Sequence, residues 1–150
     1  MHIYTSPGHY ISAIYRHLQI YLNREFASLG FGSGQYLFFN HISHHEGITQ
    51  KELSRRLSID KATTAKAVHK LTEKGYIEQR QSKTDKRFNN LYLTEQGRTI
   101  LPEVREILKQ TIEILQRGMT DSEGETALKL MHVMLGNITD ETTRVRSKDE

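Results

Sequence analysis

The chain has 150 residues, of which 36% are hydrophobic and 26% charged, and a formal net charge of +3. That is about one domain, with no apolar run near the roughly 18 residues a membrane span needs, and an N-terminus, MHIYTSPGHY, without the basic start and apolar stretch of a secretory signal. With no cysteine, disulfides, thiolate metal sites and thiol catalysis are excluded, and a soluble cytoplasmic protein without membrane association is expected. The charge is unevenly spread. Ile48 to Arg98 carries twelve Lys/Arg against six Asp/Glu, whereas the remainder carries nine against twelve. A basic middle in an acidic frame predicts one surface facing a polyanion.

Helical spacing from about Gly8 to Leu29 (Ile11, Ile14, Leu18, Tyr21, Leu22, Phe26) predicts a first amphipathic helix, stopped by the glycine-dense Gly30 to Gly34. A second helix is expected from about Ser33 to His45, closed by Gly47. Thr49-Gln50-Lys51-Glu52 has the pattern of a capping box opening a short third helix. Ser58-Ile59-Asp60 then predicts a tight turn, with Asp60 capping a fourth helix from Lys61 to Lys74 that ends at Gly75. Two short helices joined this way make a helix-turn-helix. Beyond Gly75 the apolar period drops to about two over Tyr76–Gln81 and Asn90–Thr94, which flank a polar stretch from Ser82 to Asn89. This predicts a β-hairpin with a long basic tip. Thr94 should cap a long fifth helix, kinked near Arg98 by Pro102, and Thr120 to Glu123 should open a sixth through Ile138. The fold class is therefore mainly α with a small β-hairpin wing: a winged helix-turn-helix with about six helices. Residues 1–150 form one domain, with the winged helix-turn-helix at 33–97, amphipathic helices at 8–29 and 98–138 that find little to pack against within one chain and are therefore expected to dimerise, and a polar tail at 139–150.

On a wheel of 100° per residue centred on Val68, Lys61, Thr64, Ala65, Leu71 and Thr72 fall on the buried side of the fourth helix. Lys66, Lys70 and Thr63 project from the other side, flanked by Ala62. Small and basic residues near a capped helix start suit the major groove of DNA, and Lys83, Lys86 and Arg87 on the hairpin tip suit a minor-groove probe. Asp85 stands two residues before Arg87 and could brace it.

Asp85-Lys86-Arg87-Phe88-Asn89-Asn90-Leu91-Tyr92-Leu93-Thr94-Glu95-Gln96-Gly97 matches the D-x-R-x-x-x-L-x-L-T-x-x-G wing of the MarR family of bacterial regulators. Gly47 to Leu53 resembles that family's G-x-T-Q-x-E-L entry to the helix-turn-helix. Leu71 to Ile77 resembles its exit from the recognition helix, and Gln35 matches a glutamine opening its second helix. The resemblance implies a homodimeric winged-helix regulator, a repressor in the first instance, on a palindromic operator and released by a small ligand. The residues expected at double-stranded DNA are Thr49, Lys61, Ala62, Thr63, Lys66, Lys70, Lys83, Asp85, Lys86 and Arg87. Many members carry Thr-Arg where this chain has Ala65-Lys66. Lysine lacks the bidentate fork that reads guanine, so base and phosphate contact both stay open for Lys66. The cysteine of the family's hydroperoxide sensors is absent.

The family's effector pocket lies between dimerisation and DNA-binding regions, near helices like the first two here. His17, Tyr21, Tyr36 and Phe39 mix aromatic bodies with polar tips there and are candidates to hold a small aromatic or lipophilic effector; core packing is the plainer reading. Some relatives sense zinc, and His41, His44 and His45 sit together with Glu46 nearby, but the fifth helix has no histidine, so no metal site and no cofactor are expected. Gly30 to Gln35 fits neither a dinucleotide loop nor a nucleophile elbow, and no catalytic constellation stands out, so an enzyme is not expected. The alternative to a DNA-binding regulator is a winged-helix adaptor whose basic face takes an acidic protein.

Overall fold

A computed structural model describes residues 6–32 and 34–146, leaving out the side chains of 145 and 146. The chain divides into two compact units, Met1–Lys109 and Gln110–Glu150.

In the first unit, α1 (Pro7–Glu25) begins where the Ser6 hydroxyl accepts the His9 amide at 3.3 Å. Pro7 stands in its first turn, where a missing N–H costs no helical bond. A short 3-10 turn (Ala27–Leu29) follows, and then α2 (Gln35–His44), capped by Gly34. The expected helix start at Ser33 lies outside the described residues. Next come β1 (Ile48–Thr49), α3 (Gln50–Leu57), α4 (Lys61–Glu73), β2 (Ile77–Gln81), β3 (Asn89–Leu93) and α5 (Glu95–Leu115), whose residues from Gln110 on belong to the second unit.

The wing is more than a hairpin. The strands form an antiparallel sheet in the order β1-β3-β2, with Ile48 opposite Leu91 and Thr49 opposite Asn90. β1 leaves no mark in the sequence pattern, because two residues cannot display a period of two. β2 and β3 pair from Ile77–Leu93 out to Gln81–Asn89, leaving Ser82–Phe88 as the tip.

Local chemistry sets the helix ends. Asp60 accepts the Thr63 amide (2.8 Å) and hydroxyl (2.7 Å) to open α4. Gly75, with φ +75°, closes it through Tyr76 N–H to the Leu71 carbonyl at 3.0 Å. Thr120 and Glu123 satisfy each other's amides at 2.8 and 3.3 Å. Thr49 makes only half of the box expected of it. Its hydroxyl takes the Glu52 amide at 3.2 Å, while the Glu52 carboxylate turns to Arg55 and Arg56, two cations that hold it at a pKa of about 2. An Asp60→Ala variant should lower the melting temperature by about 2–4 °C, and Asp60→Asn, which keeps the acceptor, should not; thermal unfolding by circular dichroism measures both.

The core of this unit centres on Leu22, Phe26, Phe39, Ile42, Leu53, Val68, Leu71, Ile77, Leu91, Leu93 and Val104, each almost fully buried. Each large side chain there contributes about 1.5–3 kcal/mol. The buried stripe of α4 differs from the wheel expectation. It runs Thr64, Ala67, Val68, Leu71 at i, i+3, i+4, i+7, while Lys61 and Ala65 are exposed. Packing on α2, α3 and β2 rotates the buried arc toward Ala67. Thr64 is accommodated because its hydroxyl donates to the Asp60 carbonyl at 2.9 Å. α5 is one helix across Pro102, which has no N–H to give the Arg98 carbonyl.

The second unit contains α6 (Asp121–Arg146), which extends past the expected end at Ile138 through residues assigned to a polar tail. Thr139, Thr142 and Thr143 are held inside it by hydroxyl bonds to backbone carbonyls one turn back. Residues 147–150 of that tail lie outside the described residues. Leu128, Leu130, Met131, Val133, Met134, Leu135 and Ile138 of α6 are all exposed.

Candidate nucleic-acid interface

Lys61, Ala62, Thr63 and Lys66 are exposed on α4 and Lys70 is half-buried. The Thr63 hydroxyl donates its proton to Asp60, so toward a ligand it offers an acceptor. His69, not selected from the sequence, is exposed among the lysines and meets Glu73 at 3.3 Å one turn on. Its spacing of three from Lys66 was the available signal. Thr49 is half-buried and serves as the N-cap of α3.

At the wing tip, Arg87 is 83% exposed through its side chain and lies against Asp85. Its Nε and Nη2 donate to the carboxylate at 3.0 and 2.7 Å, and its amide donates at 3.1 Å. The guanidinium, with that backbone N–H, holds the Asp85 carboxyl below its ordinary range. Gln81 fixes the tip by donating to the Lys86 carbonyl at 2.8 Å, and the Ser82 amide donates to the Phe88 carbonyl at 2.8 Å. Lys83 and Lys86 are exposed. The tip thus presents three cations on a backbone that its own side chains constrain.

The four residues considered for an effector are differently placed. His17 is exposed on α1, Tyr21 is half-buried beneath Arg24, and Phe39 is fully buried against Phe31 and Tyr76. Tyr36 stacks on Phe26 with ring centroids 4.9 Å apart. It alone of the four lines a narrow surface crevice, closed to a ligand-sized molecule and shared with Leu22, Phe26, Phe31 and Gln35. The Gln35 Oε1 is buried there without a hydrogen-bond partner.

The histidines make a contact of their own. His41 and His45 rings lie 4.7 Å apart, and His45 Nε2 is 3.5 Å from Arg56. No group of three or more His, Asp or Glu among the described residues is placed to hold a metal ion. Burial, then the neighbouring His45, Arg56 and His44, push the His41 pKa below its ordinary 6.5. The unfolded chain therefore takes up this proton before the folded one. Stability is fully present near neutrality and should fall as pH drops below about 6.5. Urea unfolding at about pH 7.5 and 5.5 measures the loss, which His41→Asn should reduce.

Comparison with known proteins bears on this geometry. The MarR family model matches residues 29–87, from the turn after α1 to the wing tip. An uncharacterized helix-turn-helix transcriptional regulator of Bacillus subtilis, YybA, is 33% identical over 128 residues, 85% of each chain. The crystal structure of a MarR transcriptional regulator from Methanosarcina mazei is 34% identical with a TM-score of 0.79, covering 89% of this chain and 96% of that one. This chain belongs to the MarR family. It is a DNA-binding transcriptional regulator with a winged helix-turn-helix. A MarR-family regulator from Listeria monocytogenes, solved in complex with a 26mer DNA, matches with a TM-score of 0.88 and 26% identity over 95% of both chains. None of the described helices is long and apolar enough to cross a membrane.

Proposed function

We propose that this MarR-family protein is a homodimeric repressor that binds a palindromic operator through α4 and the wing and is released by a small aromatic or lipophilic effector. The observation that carries the DNA-binding sites is the pairing of an Asp60-capped, lysine-bearing α4 with a wing tip whose Arg87 is exposed yet held by Asp85. On this reading Lys61, Ala62, Thr63, Lys66 and Lys70 approach the major groove and Lys83, Lys86 and Arg87 the minor groove, with Asp85 and Thr49 in support.

Dimerisation is supported by apolar side chains left in water. Tyr10, Ile11, Ile14, Tyr15 and Ile20 on α1, Ile112 and Leu115 on α5, and the apolar series of α6 are all exposed. That is more than scattered surface hydrophobics, and a second copy is the partner that would also set two recognition helices about 34 Å apart. For an effector, the crevice beside Tyr36 has aromatic walls and one acceptor without a partner among the described residues, and a ring would enter only if those side chains moved apart.

Selection of bound fragments from random duplex DNA, with the mass of the complex measured by light scattering, tests the proposal. An inverted repeat bound by two chains, with affinity falling steeply in added salt, is expected. Duplex binding without sequence preference, or binding by one chain to a single half-site, would overturn it.

A further inference from the structure

β1 begins only at Ile48, which pairs with Leu91, and the Gly47 N–H also takes the Leu91 carbonyl at 2.8 Å, so the regular pairing ends there. Beyond it the Leu93 N–H is met by the Glu46 carboxylate. Its Oε2 accepts the Leu93 amide at 3.3 Å. The same carboxylate accepts both Nη atoms of Arg98, at 2.7 and 2.8 Å. One side chain thus ties the loop after α2 to the end of the wing's return strand and to the first turn of α5. Arg98 lowers the Glu46 pKa, so the pair is charged at neutral pH. The wing is also anchored by β1 and by the Thr94 contacts with Gly75, Tyr76 and Gly97. Of its two long strands Ile77, Leu91 and Leu93 are buried. On its other face Arg80 lies over the Tyr92 ring at 4.6 Å, which stiffens the ribbon without attaching it to a helix.

We propose that Glu46 and Arg98 are positioning residues for DNA binding: their ion pair, clasping the Leu93 amide, fixes the wing against α5 and so sets where Arg87 meets the duplex. The inference rests on the reading of the wing as a DNA-contacting element. A hairpin free to swing must be ordered when it binds, which weakens binding even if every contact is eventually made.

Charge gives a discriminating sign. Glu46→Gln removes a negative charge from a DNA-binding protein, so a purely electrostatic effect would tighten binding to every duplex. Loss of positioning instead weakens binding to the operator obtained by duplex selection. Fluorescence anisotropy of the full-length protein, on that operator and on a scrambled duplex at two salt concentrations, should show Glu46→Gln weakening the operator by about 3- to 30-fold. The scrambled duplex should be bound at least as well as before. Hydrogen exchange of the Leu93 amide should accelerate, and the double variant Glu46→Arg/Arg98→Glu, which keeps net charge and rebuilds the pair, should recover part of the operator affinity. Operator binding by Glu46→Gln as tight as wild type or tighter, while Arg87→Ala weakens it, overturns this inference and leaves the wing reading intact. If Arg87→Ala has no effect, the wing reading fails and this inference falls with it.

Discussion

Gly97→Ala is expected to destabilise the fold by about 3 kcal/mol, lowering the melting temperature by roughly 6–12 °C. A Cβ at this position would stand 2.1 Å from the Tyr76 carbonyl oxygen and 3.5 Å from the Phe39 ring. The carbonyl cannot step aside cheaply. It accepts the Thr94 amide at 3.1 Å, and the Tyr76 side chain is fixed by donating its hydroxyl to the Leu29 carbonyl at 2.9 Å and by ring contacts with Phe31 and Phe39. Thr94 is committed as well, its hydroxyl donating to the Gly75 carbonyl and accepting the Gly97 amide at 3.0 Å. Any shift that makes room for a methyl group must therefore break the junction between the wing and α5. Gly8, where an added Cβ meets nothing within 4 Å, is the control: Gly8→Ala should leave stability unchanged or slightly raised, since alanine is the better helix former. Differential scanning calorimetry of both variants is the measurement. A Gly97→Ala protein melting with the wild type would mean that the close approach of α5 to Tyr76 is not a constraint of the native state.

Arg87→Ala is expected to weaken operator binding by about 5- to 150-fold per wing, and the two wings of a dimer compound the effect. The guanidinium already lies in a fixed pose against Asp85, so little side-chain entropy remains to be lost when it enters a groove. Asp85→Ala should reproduce part of the loss by freeing Arg87, although it removes a negative charge and on electrostatics alone would favour DNA. Lys70→Ala provides the contrast. If Lys70 serves only a phosphate, its removal should weaken all duplexes alike and flatten the dependence on salt by about one ion per subunit. Lys66→Ala should behave the same way unless Lys66 reads a base, in which case preference relaxes at one position of each half-site. Titrations of each variant against operator and scrambled duplex separate these outcomes. An Arg87→Ala protein with unchanged operator affinity would remove the wing tip from the interface.

Much of the fold is legible along the chain because its determinants are local. Asp60, Thr94 and Thr120 each cap a helix by binding an amide three residues on, and Gly75 ends α4 by adopting a positive φ. Such interactions close within one turn and leave short-range patterns in the sequence. The period-two apolar residues of β2 and β3 and the polar stretch between them reveal the wing for the same reason, and the family resemblance attaches to those residues. Lys66, Lys70 and the cations of the wing tip follow from composition and from a helical wheel, both of which need only local geometry, whereas the wheel put Lys61 on the buried side and the structure exposes it.

The tertiary structure decided what depends on residues far apart in sequence. β1 exists because Leu91 and Asn90, some forty residues on, supply its partners. Glu46 stands beside three histidines in sequence and invites comparison with a metal ligand, yet it binds Arg98 and the Leu93 amide, at separations of 52 and 47 residues. The wheel of α4 located an apolar side, but which arc is buried was set by the helices and strand packed on it, which cover Ala67 and leave Ala65 in water. Phe39, with the aromatic character expected of a pocket, is enclosed by Phe31 and Tyr76. The sequence determined where the capped helices start and that a basic winged helix-turn-helix would form, because capping, periodicity and turn chemistry act over a few residues. Only the packed chain decided which faces are buried and which charges pair, because those energies arise between segments that a linear pattern does not bring together.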